Sequence, residues 1–193
     1  FYDLFFKILN KDLKVFYKKN KKIIDEKIKL YPFYSRKDIE FRLIRDRFLS
    51  DDEYKTVLIK MFEKKNFFPD QIISKLFLNK ADLVNLDSLG HTIGLHSHNH
   101  VKDFERLSSE SQKLEYEKNQ ETLSMILNKS PNTINSMSHP LGSYNQTSLK
   151  ILKKLNVKIG FRDNMFVSKK MNKINNSNLE LAREDHALVM KKL

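Results

Sequence analysis

The chain has 193 residues, 40% of them hydrophobic, which lets one domain bury a sizeable core, and no linker rich in Pro, Gly or Ser divides it. It has no Cys, so disulfides and thiolate ligands are excluded and any metal must be held by His and oxygen donors. The net charge of +12 suggests a nucleic-acid binder, but the excess is spread evenly, 20 Lys/Arg against 13 Asp/Glu over residues 1–85 and 16 against 11 beyond, so no basic stripe points to nucleic acid.

From the start of the chain to Leu89 the pattern is helical. Over residues 3–29 Leu4, Phe5, Ile8, Leu9, Leu13 and Phe16 fall on one stripe. Lys18-Lys19-Asn20-Lys21-Lys22 is the densest basic run and reads as a solvated helix face, with an anionic glycan or a membrane surface as the alternative. Ser35 to Asp38 and Ser50 to Glu53 are helix starts, the second a capping box that runs into Val57, Leu58, Met61 and Phe62. Asp82 to Leu89 is a last helix, stopped by Gly90. No apolar run is long enough to span a membrane, and no signal peptide stands at the visible start.

After Gly90 the pattern becomes α/β. Candidate strands are Thr92–Leu95, Ile134–Ser138, Val157–Phe161 and Leu179–Ala182, separated by amphipathic segments near 108–128 and 146–155. That alternation predicts a parallel sheet with right-handed crossovers. Four strands are too few to close a barrel.

Where the first of those strands ends, His96-Ser97-His98-Asn99-His100 gathers three of the six histidines. His96 and His100 stand four apart at a strand-to-loop junction, a spacing suited to Zn, Co, Ni or Fe, and imidazole is the fitting ligand. A His-rich surface loop is the alternative. His91 reads as a structural residue at the strand start.

The stretch from Gly90 to His100, with Ser136-Met-Ser-His-Pro-Leu-Gly-Ser-Tyr-Asn145, resembles polysaccharide deacetylases of the NodB type, carbohydrate esterase family four, over about residues 80–186. In that family an H-[ST]-x-x-H motif supplies two metal ligands, which His96 and His100 match, with Ser97 in the hydroxyl position. Pro140, Gly142, Tyr144 and Asn145 match a substrate-groove motif in which His139 replaces an aromatic. The resemblance implies a partial or distorted (β/α) barrel. Residues 1–89 would form a helical insertion or lid packed on it and residues 90–193 its C-terminal part, as one structural domain. It implies a divalent metal, zinc first, an acetylated saccharide or polysaccharide as substrate, and metal-assisted hydrolysis of an N- or O-acetyl group. Substrate contacts fall to His139, Pro140, Tyr144 and Arg183.

The family's Asp-Asp motif, which carries its base and third metal ligand, has no counterpart. Asp51-Asp52 opens a helix, so those roles are not carried onto it. The expectation is a truncated or split deacetylase, or failing that a pseudoenzyme. Near the other end, Arg183-Glu-Asp185-His186 resembles an Arg-x-Asp string of some family members, although the usual Leu-x-His motif is not matched. Asp185 and His186 are the candidate catalytic pair, His186 as general acid, with a surface salt-bridge cluster as the alternative reading. The competing function is a glycan-binding or assembly module without chemistry. The absence of Cys fits a reducing compartment, which favours the cytoplasm over the cell envelope.

Overall fold

Four helices begin on reciprocal caps, in which the side chain before the helix accepts from the third backbone N–H and the third side chain accepts from the cap's N–H. The pairs are Ser35/Asp38, Ser50/Glu53, Asn79/Asp82 and Asn145/Ser148. The computed structural model describes residues 1–31, 34–165, 167, 172–184 and 189–190. They fall into two units, Phe1–Phe77 and Leu78–Leu193.

The first unit is helical: α1 (Tyr2–Leu9), α2 (Lys14–Leu30), α3 (Arg36–Arg47), α4 (Asp51–Lys64) and the short α5 (Ile73–Leu76). The apolar stripe over residues 3–29 is shared by two helices. Asn10 takes a left-handed conformation, φ 44°, and its N–H bonds the Phe6 carbonyl, ending α1, while Asp12 caps the N–H of Lys14 at 2.9 Å. Phe5, Phe16, Ile24, Ile44 and Met61 are buried together. Phe41 meets Phe5 edge to face, with centroids 4.8 Å apart. Asp51 and Asp52 lie in the first turn of α4 behind the Ser50 cap, where a carboxylate favours the helix dipole.

The second unit holds α6 (Lys80–Ser88), α7 (Ser109–Leu127), α8 (Gln146–Lys154) and strands β1 (Ser136–Ser138) and β2 (Ile159–Phe161). The strands pair in parallel with Met137 opposite Gly160. Single parallel bridges extend the ladder on both sides, Leu95 to Met137 and Phe161 to Leu181. All four predicted strands therefore contribute, in chain order, although the first and last shrink to one bridge each and the middle two to three residues. Backbone approach is close at both flanks: a Cβ on Gly94 would stand 2.6 Å from the Ser136 hydroxyl, and one on Gly160 2.6 Å from the Leu179 carbonyl. The described residues close no barrel. The crossover helices α7 and α8 pack on each other. Leu95, Phe104, Tyr116, Met137, Leu152 and Leu179 form the centre of the core. Gln120 on α7 donates to the carbonyls of Ile134 and Leu155, at 3.1 and 3.0 Å, and so satisfies two loop carbonyls beside the core.

Candidate functional site

The histidine loop leaves the ladder at Leu95 and is fastened to α7. The His96 N–H donates to Asn119 Oδ1 at 2.9 Å. Glu115, one turn earlier and 8% exposed, accepts from the N–H groups of His98 and Asn99 at 3.0 and 2.8 Å and from the Asn99 amide at 2.6 Å. Ser97 and His100 both take left-handed conformations, φ 59° and 52°, and the buried Ser97 hydroxyl accepts from the His100 N–H at 3.0 Å. Ser97 therefore shapes the loop, and the turn folds the two rings to within 4.8 Å of each other.

His96 Nδ1 lies 2.7 Å from the Ser138 carbonyl oxygen. A carbonyl only accepts, so Nδ1 carries the proton and Nε2 is left with its lone pair, the arrangement of a metal-ligating imidazole whose other nitrogen is held by a backbone acceptor. Burial holds His96 below its ordinary pKa; the Ser138 contact opposes this, and the charges of His100 and Arg183 add to the depression. A neutral ring is the form that binds metal. Among the described residues no group of three or more His, Cys, Asp or Glu converges as a metal site. The pair thus fits two nitrogen ligands of a divalent ion and needs another donor.

The second motif turns the chain beside this pair. Pro140 is buried, and Leu141 and Gly142 turn the chain with φ 52° and 66°. A Cβ on Gly142 would stand 2.6 Å from the exposed Asp163 carboxylate, which would have to swing aside, and the left-handed conformation at this position favours glycine. His139, 1% exposed, stacks on Tyr144 with centroids 4.0 Å apart and 22° between planes. Its Nε2 donates to the Leu179 carbonyl at 2.8 Å, and Nδ1 is buried with no partner among the described residues. Burial holds His139 below its ordinary value, against the pull of the Leu179 carbonyl and of the Glu180 and Asp163 charges. The Tyr144 hydroxyl donates to Glu180 Oε1 at 3.0 Å; burial and then the Glu180 charge raise its pKa, so it stays protonated. Asn145 caps α8 and ties the turn to the Glu105 carbonyl at 2.6 Å.

His96, His100, His139, Pro140 and Tyr144 thus lie on two loops linked through Ser138. Arg183 is exposed, and its charge is felt at His96. Asp185 and His186 lie outside the described residues. Sequence reasoning missed Glu115, Asn119 and Glu180. The i,i+4 spacing of Glu115 and Asn119 on one face of α7 was the only available signal for the first two.

The second unit is thus an α/β domain with a short parallel ladder, a histidine pair at one strand end and a proline-glycine turn beside it. The polysaccharide deacetylase family profile matches residues 64–160, half of the chain, and the chain belongs to that family. Among solved structures, the Streptococcus pyogenes deacetylase PplD in complex with acetate is similar at 28% identity and TM-score 0.46, over 55% of this chain and 43% of that one. The chain therefore spans less than half the length of that protein. No curated protein matches it.

Proposed function

We propose that the second unit is the histidine-bearing part of a metal-dependent polysaccharide deacetylase that hydrolyses N- or O-acetyl groups on a glycan, and that its ladder belongs to a NodB-type (β/α) barrel. The observation that carries this reading is the His96 ring, fixed by the Ser138 carbonyl so that Nε2 keeps its lone pair beside His100, with no partner among the described residues. His96 and His100 would hold the ion, zinc in the first instance. Such an ion supplies Lewis-acid polarisation of the acetyl carbonyl and of a water. Tyr144 lines the saccharide groove with the buried His139 and Pro140 behind it, Arg183 orients the substrate, and Asp185 and His186 serve proton transfer, His186 to the leaving group.

The test is metal content and acetate release with zinc-loaded protein and an acetylated chito-oligosaccharide. His96→Ala and His100→Ala are expected to lose zinc while keeping their circular dichroism. Stoichiometric zinc retained in both variants would sink the assignment. The second reading is a glycan-binding module without chemistry. It predicts saccharide binding with no acetate release, even with metal added.

A further inference from the structure

Helix α2 is unusually basic for a structural helix. Seven of its 17 residues are lysines against two acids, and its first turn holds no acidic residue. Lys14, Lys18 and Lys22 repel at i,i+4, and Lys14 opposes the helix dipole. These arrangements contribute nothing to folding.

One part of this basic surface is concave. An open cleft of about 380 Å³ is lined by Tyr17, Lys18 and Lys21 of α2, buried Ile24 below them, and Arg36 and Glu40 of α3. That volume falls in the range of small-ligand sites, about 300–1,000 Å³. Arg36 Nε donates to Glu40 Oε1 at 2.8 Å and its other end lies 3.7 Å from Asp25, so these charges are already committed to each other. The Tyr17 hydroxyl reaches Glu40 at 3.5 Å, which fixes the ring. Lys18 and Lys21 are exposed and have no acidic partner among the described residues. Three cations against one carboxylate leave the lining at +2.

We propose that this cleft binds an anionic stretch of polysaccharide, with Lys18 and Lys21 pairing to its phosphate or carboxylate groups and the Tyr17 ring, backed by buried Ile24, carrying the apolar face of a sugar. An aromatic face beside paired polar groups suits a pyranose ring, and lysines act as point charges toward anions of either kind. The choice of a glycan over other polyanions rests on the deacetylase reading. Binding is measured without acetate release, so the two readings fail separately.

The experiment titrates the whole chain by calorimetry at 50 and 200 mM salt with an oligogalacturonate, a phosphorylated oligomannose, neutral chitotetraose and duplex DNA. The expected result is salt-sensitive binding of one or both anionic saccharides, the arm that binds identifying the anion, and weaker binding of chitotetraose and DNA. Lys18→Glu with Lys21→Glu should weaken it by about tenfold or more. Lys19→Glu with Lys29→Glu, an equal charge change outside the cleft, should alter it by less than about threefold. Equal losses in the two double variants, DNA bound as tightly as the saccharides, or no binding of either anionic saccharide would overturn the proposal. Lys18→Gln with Lys21→Gln repeats the test without charge reversal.

Discussion

At the scale of single residues, the loop that carries the candidate ligands is held by one carboxylate. Glu115 accepts three hydrogen bonds from His98 and Asn99, and charge-assisted bonds of this kind contribute about 1.5–3 kcal/mol each at most. Glu115→Ala strands two backbone N–H groups and is expected to destabilise the second unit by about 2–4 kcal/mol and to weaken zinc binding by about 10–100-fold. Denaturant titration and a competitive zinc assay check the two effects separately. His139 gives a pH signature. Its buried ring is held below the ordinary value of 6.5, so the unfolded chain takes up a proton at a pH where the folded chain does not. Stability therefore rises with pH through the window between the folded and unfolded values and is lost as pH falls below about 6.5. Urea midpoints at pH 7.5 and 5.5 should separate more for the wild type than for His139→Phe, which keeps an aromatic on Tyr144 and has no proton to gain. An equal separation would show that His139 does not titrate in this way.

Elements are where sequence and structure agree best. The Ser35 and Ser50 starts are both observed as caps, because a cap depends on a few neighbouring residues and is legible locally. The stripe over residues 3–29 hides a helix break at Asn10, since 3.6-residue periodicity continues across a short turn and only the left-handed preference of Asn marks it. The four strands were readable from apolar character and spacing, but not their length: a parallel ladder three residues long offers too little alternation to mark its ends. Glu115 and Glu180 look like ordinary surface carboxylates in sequence, and only tertiary placement buries them. The close packing of the ladder yields a further prediction. Gly160→Ala drives a methyl against the Leu179 backbone, which cannot move as a flexible side chain would, and should cost about 1–3 kcal/mol in a urea melt. A change within about 0.5 kcal/mol would show that the Leu179 segment gives way.

The whole molecule carries two separate cores, one in each unit. Phe5→Ala and Leu152→Ala each remove a fully buried side chain and should cost about 2–5 kcal/mol. Native-state hydrogen exchange should place the lost protection within the unit that bears each change, and protection lost evenly throughout would mean that the cores are not independent. One feature links the second core to the histidine pair. The carbonyl that fixes His96 belongs to Ser138, the last residue of β1, and the Ser138 N–H bonds Leu95 at the start of the histidine loop. A one-residue slip of that strand would turn its side chains to the opposite face and carry the acceptor away. A correctly aligned ladder is thus a condition for presenting Nε2, and an ion that prefers the folded chain would act as a thermodynamic lock on strand alignment. At free zinc one hundred times its dissociation constant, such coupling would raise the unfolding free energy by about 2.7 kcal/mol.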